Sequence, residues 1–195
     1  MTYYEPRAIL SGEKGSAVFP LAELEYKSRV IYLTGFIDDV LAVSIVRQIS
    51  VLERISEEDP FEIIIDSPGG DVGAAFAIYD AIKLSKPPCI TTVINSAYSS
   101  AVIVFLAGEI RRMYPHARLF LHPVQVNNLN DGTYIGAYLA KAEYVVAEQS
   151  AIISTIIETT GKDEDTVNKW VENETFFNQE SAVENLLANC KADSL

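Results

Sequence analysis

Cysteine, histidine and basic side chains are all scarce in this sequence of 195 residues. The two cysteines, Cys89 and Cys190, stand far apart and match no metal-binding or redox spacing. We therefore expect a reducing, cytoplasmic location and neither a metal nor another cofactor. Lysine and arginine number 15 against 27 acidic residues, and the net charge of −12 argues against nucleic acid or an anionic membrane as a partner.

Several familiar motifs are also missing. Neither G-x-x-x-x-G-K-[ST] nor G-x-G-x-x-G is present, so we expect no nucleotide site in this chain. The absence of G-x-S-x-G disfavours an α/β-hydrolase. The N-terminus lacks the basic start and apolar run of a signal peptide. The longest apolar region, residues 89–108, is interrupted by Thr, Asn and Ser, so it is not predicted to span a membrane.

What the sequence does contain is an alternation of strand and helix patterns. Residues 1–28 are predicted to be irregular, with a mobile loop at residues 11–16. Helices are predicted after caps at Asp38 or Asp39 and at Asn178, and a long helix is predicted from about residue 133 to 160. The alternation predicts βαβ units with mainly parallel pairing. The strands are predicted at residues 29–35, 62–66, 89–94 and 118–122.

The stretch from residue 91 to 108 supplies the first candidate for chemistry. Its β-branched start predicts a buried strand, and its apolar end predicts a buried helix stopped by Gly108. Ser99 falls between the two, near free backbone N–H groups and the positive end of a helix dipole. Those surroundings suit a nucleophilic serine and its oxyanion. The alternative is that Ser99 and Ser100 simply cap a core helix.

Only His116 and His122 are available as a general base for such a serine. His116 lies in a Tyr-Pro-His-Ala turn, which is typical of solvated surface. His122 ends a predicted strand, at the edge where open α/β sheets bind ligands. The Ser-Pro-Gly-Gly sequence at residues 67–70 also follows a strand, and its glycines allow backbone N–H groups to approach a ligand. The alternative for His122 is a hydrogen-bonded structural histidine, and the alternative for residues 67–70 is an ordinary strand-to-helix turn.

Taken in order, these motifs resemble the ClpP family, the proteolytic subunits of ATP-dependent Clp proteases. The resemblance is carried by residues 29–35, by 67–70 with 77–80 behind them, by 97–101 and by the strand that ends in His122. It implies a ClpP/crotonase-like α/β spiral of ββα units, with a protruding handle-type helix at about 133–160. Residues 1–28 would form an axial loop segment and 29–195 a single peptidase domain.

The resemblance also assigns roles to individual residues. Ser99 falls on the nucleophile position and His122 on the general-base position. Gly70 and Ser100 fall on the two backbone N–H donors of the oxyanion hole. Glu174 stands where the family usually has an aspartate. A carboxylate therefore remains to orient His122, on a side chain that is one methylene group longer.

Other positions depart from the family pattern. Ala101 stands where the family has a glycine, and Asp66 replaces an asparagine before Ser-Pro-Gly-Gly. Leu186 replaces a helix-ending glycine, so we expect Asn185 to adopt the left-handed conformation there.

The favoured hypothesis is a serine endopeptidase that cleaves unfolded polypeptides inside a ring chamber. A peptide would lie as an extended strand beside Val72 and Gln125. The implied partners are a separate AAA+ unfoldase and further subunits, in heptameric rings stacked in pairs and formed by this chain alone or with a paralogous subunit. One alternative is a weakly active or inactive ring subunit that serves assembly or docking. Another is a crotonase-type acyl-CoA enzyme.

Overall fold

The computed structural model describes residues 7–12, 15–125 and 135–192. Within them the chain forms a two-stranded sheet, a larger seven-stranded sheet and the helices between the strands. The strands are β1 Arg7–Gly12, β2 Gly15–Pro20, β3 Val30–Thr34, β4 Phe61–Ser67, β5 Cys89–Tyr98, β6 Ile110–Met113, β7 Arg118–Phe120, β8 Phe176–Phe177 and β9 Cys190–Lys191. The helices are α1 Leu21–Lys27, α2 Asp39–Ile55, α3 Val72–Leu84, α4 Ala101–Leu106, α5 Ile135–Thr160, α6 Glu164–Glu172 and α7 Gln179–Glu184.

The N-terminal segment is more regular than predicted. In place of an irregular stretch up to residue 28, β1 and β2 form an antiparallel hairpin, with Arg7 opposite Pro20 and Gly12 opposite Gly15, and α1 follows. The prediction was wrong because the apolar residues of the two strands pair with each other, with Ile9 opposite Val18 and Leu10 opposite Ala17. The two residues at the tip of the predicted loop, 13 and 14, lie outside the described residues.

Strand β5 organises the larger sheet. The order is β3-β4-β5-β6-β9 with parallel neighbours, while β7 pairs with β5 and, antiparallel, with β8. The first part of β5, residues 90–93, pairs with β6, and residues 96–98 pair with β7. This change of partner brings the end of β7 beside the end of β5, and Ser99 is the next residue after β5. The predicted α/β architecture with mainly parallel pairing is confirmed.

The core is built from the inner faces of the strands and the helices packed against them. Alternate residues of β4, Phe61, Ile63 and Ile65, are at most 1% exposed, as the period of two in a strand requires. Helix α4 is buried at every position, including Ala101. Burial of a whole helix fixes the two residues that precede it, so Ser99 and Ser100 are held against a rigid element.

Side-chain caps set the starts of four of the described helices, among them α3, whose first turn donates to the Asp71 carboxylate. The carboxylates of Asp38 and Asp163 accept hydrogen bonds from the first turns of α2 and α6. Two bonds from Thr166, through its backbone and then its hydroxyl, lower the pKa of Asp163. Asn178 forms a reciprocal capping box with Ser181 at the start of α7. The caps predicted at Asp38 and Asn178 are therefore confirmed.

The end of α7 contains a backbone conformation that leucine rarely adopts. Leu186 has φ of 63°, whereas Asn185 remains on the helical side with φ of −96°. The expectation for Asn185 was wrong because its amide donates back to the Ser181 carbonyl at 2.9 Å, which holds it in the last turn. The Arg111 guanidinium donates to the Leu186 carbonyl at 3.1 Å and so supports the strained residue.

Relief of that strain should stabilise the protein. Leu186→Gly should raise the free energy of unfolding by about 1 kcal/mol, since a non-glycine left-handed residue costs about 1–2 kcal/mol and the Leu186 side chain is half exposed. The melting temperature should rise by about 2–4 °C in calorimetry. Asn185→Gly is the matched control, and it should destabilise because it removes the amide bond to Ser181. Equal effects of the two substitutions would contradict this account.

Candidate active site

Ser99 occupies a strained turn between β5 and α4. Its φ is 55°, a left-handed conformation that costs a non-glycine residue about 1–3 kcal/mol. The Ser99 N–H donates to the Phe120 carbonyl at 2.8 Å, which ties the turn to the end of β7. Within the described residues, the Ser99 hydroxyl makes no hydrogen bond. A strained residue with a free hydroxyl between a strand and a helix resembles the nucleophile turn of α/β-hydrolases.

Ser100 is buried behind Ser99 and does not cap α4 with its side chain. Its hydroxyl donates instead to the Gly70 carbonyl at 3.2 Å. The alternative in which these serines serve only as helix caps therefore loses its physical basis, since neither side chain bonds the first turn of α4. Ser100 links two backbone segments, the turn at Ser99 and the glycines that follow β4.

Residues 69 and 70 have to be glycine in this fold. A Cβ on Gly69 would lie 2.4 Å from the Tyr98 carbonyl oxygen, and a Cβ on Gly70 would lie 2.1 Å from the Ile37 carbonyl oxygen. Ile37 in turn donates to the Gly69 carbonyl and accepts from the Asp71 N–H. In the part of the chain that the structure describes, the N–H groups of Gly70 and Ser100 have no hydrogen-bond partner. Two neighbouring free donors are what an oxyanion requires.

His122 lies two residues beyond β7 and is half buried. Its Nδ1 is 2.7 Å from the carbonyl oxygen of Pro123. A carbonyl can only accept, so this hydrogen bond requires the proton on Nδ1 and leaves Nε2 as the basic nitrogen of the neutral ring. That tautomer is the one that a general base for a serine hydroxyl needs.

One cavity of about 460 Å³ brings most of the predicted site residues together. Its wall includes Ser99, His122 and Gly70, together with Val72 and Gln125, which were predicted to lie along the substrate. Ser100 lies behind this wall, because it is only 1% exposed. A serine hydroxyl, an imidazole and a free N–H donor therefore face the same space.

Sequence reasoning missed the opposite wall of the cavity, which α5 provides. Lys141, Tyr144 and Glu148 face it. The Tyr144 hydroxyl hydrogen-bonds Glu148, and this bond and the carboxylate charge raise the pKa of Tyr144, with smaller contributions from burial and from Asp71. The spacing of three and four residues along the helix was the signal that would have revealed this face.

Extension of the β7–β8 pairing places the backbone of Glu174 opposite His122, without a hydrogen bond between the two side chains. Phe120 pairs with Phe176 in the antiparallel β7–β8 ladder, and the Leu121 N–H donates to the Thr175 carbonyl at 3.0 Å. Continuing this register places Glu174 opposite His122. The Glu174 side chain is exposed, however, and among the described residues it does not line the cavity or hydrogen-bond the imidazole.

Asp66 and His116, two further residues singled out from the sequence, lie outside the cavity wall. Asp66 accepts hydrogen bonds from the Asn95 amide and from both the N–H and the hydroxyl of Ser96. It therefore ties β4 to the second half of β5 instead of acting on a substrate. His116 is exposed in a turn after β6, as expected.

Other surfaces of the described chain are less suited to catalysis. A groove of about 760 Å³ runs along α2, but its described lining, which includes Val40, Val43 and Arg47, contains no histidine. No group of three or more histidine, cysteine or acidic side chains with the geometry to hold a metal occurs among the described residues. None of the described helices combines the length and apolar character needed to cross a membrane.

Comparison with known proteins agrees with this geometry. The family model described as Clp protease matches residues 13–189. The chain is 33% identical over 159 residues to ATP-dependent Clp protease proteolytic subunit 2 of Treponema denticola, covering 80% of this chain and 78% of that protein. A solved structure of a ClpP1 mutant from Listeria monocytogenes superposes with a TM-score of 0.78 at 25% identity, covering 89% of this chain and 96% of that one. The chain therefore belongs to the Clp protease family, a family of peptidases, and has the ClpP fold.

Proposed function

We propose that this protein is a serine endopeptidase of a Clp-type protease, with Ser99 as its nucleophile. The observation that carries the proposal is the single cavity into which Ser99, His122 and Gly70 all face. Catalysis by an activated serine needs these three functions within one site, namely a hydroxyl, a base and a donor for the oxyanion.

The hydrogen bond between His122 Nδ1 and the Pro123 carbonyl supports a mechanism in which Nε2 is the base. Ser99 Oγ attacks the peptide carbonyl while His122 Nε2 accepts the hydroxyl proton, and the imidazolium then delivers a proton to the leaving amine. The N–H groups of Gly70 and Ser100 stabilise the oxyanion. Water completes the cycle by hydrolysing the acyl-enzyme through the same base. The Pro123 carbonyl keeps Nδ1 protonated throughout.

The substrate is an extended polypeptide bound mainly through its backbone. Val72 begins α3 beside the glycine turn, and Gln125 follows His122 on the other side of the cavity. A peptide between these two backbone segments would lie as an extended strand beside them and hydrogen-bond to their main-chain groups. Because such binding relies on main-chain hydrogen bonds, selectivity for side chains should be loose.

A fluorophosphonate probe tests the proposal directly. The probe should attach covalently to Ser99, as peptide mapping by mass spectrometry would show, because it reacts with serines activated by a base and an oxyanion hole. An inactive ring subunit or an acyl-CoA enzyme of the crotonase type would remain unlabelled. Absence of labelling in the assembled protein would overturn the proposal, and labelling at Ser100 would move the nucleophile by one residue.

Glu174 is proposed to orient His122 and to stabilise the imidazolium. Glu174→Gln should lower kcat by between about tenfold and a hundredfold with little change in KM. The loss should fall short of the roughly 10⁴-fold effect of a buried aspartate, because solvent screens the exposed carboxylate. Steady-state kinetics on a short peptide would measure it, with Glu172→Gln as an exposed control two residues away. If both variants have the kcat of the parent, Glu174 has no role in catalysis.

Ring assembly is proposed from apolar side chains that this chain leaves uncovered. On α5, Leu139 and Val146 are 61% and 65% exposed, and on α2, Val40 and Ile55 are 78% and 65% exposed. Two helices with exposed apolar residues mark two contact surfaces. Seven copies of a 21.5 kDa chain give about 150 kDa and a double ring about 300 kDa, masses that light scattering distinguishes from a monomer.

A separate AAA+ unfoldase is proposed as the partner, because the sequence contains no nucleotide-binding motif of its own. We expect this protein alone to cleave short peptides but to leave a folded fluorescent protein intact. Degradation of the folded protein should require an added unfoldase and ATP. Loss of fluorescence with this chain alone, at the rate seen with the unfoldase, would contradict a gated chamber.

A cytoplasmic location is proposed because Cys89 and Cys190 are both free thiols, and thiols stay reduced in the cytoplasm. Burial raises the pKa of the Cys89 thiol, so this group is a poor nucleophile and belongs to the core.

A further inference from the structure

Three aromatic side chains form a row across the strands that carry the proposed active site. Tyr98 on β5 pairs with Phe120 on β7, and Phe120 pairs with Phe176 on β8. The rings of Phe120 and Phe176 are stacked, with centroids 4.1 Å apart and planes at 18°. Tyr98 meets both edge-on, at 5.8 and 5.9 Å. The row is thus held by three mutual contacts.

The proposed general base lies directly on this row. The imidazole of His122 stacks on the ring of Phe120, with centroids 5.3 Å apart and planes at 27°. The contact follows from the backbone, because residues two apart on an extended chain point to the same side. Ser99 immediately follows Tyr98, so the aromatic row is adjacent in sequence to both the nucleophile and the base.

Two contacts therefore define the position of the imidazole. The Pro123 carbonyl binds Nδ1 at the edge of the ring, and Phe120 covers one of its faces. The face of an aromatic ring carries partial negative charge and attracts a cation. Phe120 therefore favours the imidazolium that forms when His122 accepts the serine proton. The exposed carboxylate of Glu174 provides no such contact in this structure.

We propose that Phe120 is a positioning residue for the peptidase reaction, holding His122 in place and stabilising its cationic form, with Phe176 supporting Phe120. This inference rests on the proposed function. It differs from a packing role in one respect, since packing needs only an apolar side chain of similar volume whereas stabilisation of a cation needs an aromatic face.

Two substitutions at Phe120 separate these roles. Phe120→Leu should lower kcat for a short peptide by roughly three- to tenfold with KM unchanged, because the aromatic face is lost. Phe120→Tyr keeps the face and should stay within about twofold of the parent. The matched control is Phe76→Leu, because Phe76 is also half buried and contacts Tyr79 on α3 away from the cavity. This control should leave kcat unchanged.

A spectroscopic measurement on the assembled protein checks the stack independently of activity. The chain has two histidines, so histidine-selective ¹³C labelling gives two imidazole signals. The His122 signal should carry an upfield ring-current shift that Phe120→Leu removes and Phe120→Tyr retains, while the His116 signal stays in place.

The outcomes are distinguishable. A parent protein that neither cleaves peptides nor reacts with the fluorophosphonate overturns the proposed function, and this inference with it. A parent that cleaves while Phe120→Leu keeps the same kcat overturns only the inference. Equal losses in the Leu and Tyr variants, or an unshifted His122 signal, likewise overturn it.

Discussion

Ser99→Ala should lower kcat for peptide cleavage by on the order of 10⁴-fold or more and should abolish fluorophosphonate labelling, because the hydroxyl is the proposed nucleophile. The fold should survive. The Ser99 hydroxyl makes no hydrogen bond within the described residues, and alanine faces the same left-handed strain at φ of 55°. The free energy of unfolding and the assembled mass should therefore match those of the parent, which separates chemistry from structure.

Ser100→Ala is the matched control one residue along. It removes the hydrogen bond to the Gly70 carbonyl but leaves the Ser100 N–H, which is the part proposed to act on the oxyanion. It should cost about 1 kcal/mol of stability and keep most of the activity. Peptide cleavage by Ser99→Ala at the parental rate would show that Ser99 is not the nucleophile.

Sequence patterns predicted the long elements better than the short ones. Helix α2 was predictable from its cap and its apolar spacing, because both signals are local. Strands β8 and β9 have two residues each and exist only through their pairing with β7 and β6. No local pattern predicts a strand of that length. The hairpin of β1 and β2 was missed for a related reason, since each strand is defined by the other.

In the candidate site, too, residues with a local sequence signal could be predicted and those placed by distant contacts could not. Ser99 and His122 could be predicted because each follows a strand with a strong pattern, and the ends of parallel strands converge. Glu174 was identified through the family resemblance alone. Its side chain is exposed, its φ is 52°, and within the described residues its carboxylate does not hydrogen-bond the imidazole of His122. The spacing along α5 marks one face of that helix, but its position over the cavity, like the packing of Phe120 against Phe176, depends on tertiary contacts between distant segments, which a single sequence does not specify.

Gly70→Ala should lower kcat by about 10²- to 10³-fold, because it displaces one of the two proposed oxyanion donors. A methyl group there would sit 2.1 Å from the Ile37 carbonyl oxygen, inside van der Waals contact with backbone. The Gly70 backbone must therefore move away from Ile37, and its N–H moves with it. Displacement of about 1 Å is enough to disrupt catalysis, because the stabilisation depends on donor geometry.

Gly73→Ala is the control three residues along the same segment. Its added methyl group meets side-chain atoms and no backbone, with Asp71 Oδ1, the cap of α3, at 3.3 Å and the Tyr144 hydroxyl at 3.8 Å. The close contact with the cap offsets the helix preference of alanine, so this variant should keep the parental kcat and unfold at about the parental urea concentration. Gly70→Ala should unfold at lower urea than the parent but still display Ser99, so a slow residual reaction with the probe is expected. If Gly70→Ala kept full kcat, the oxyanion would have to be held elsewhere, because that substitution cannot leave the Gly70 N–H where it is.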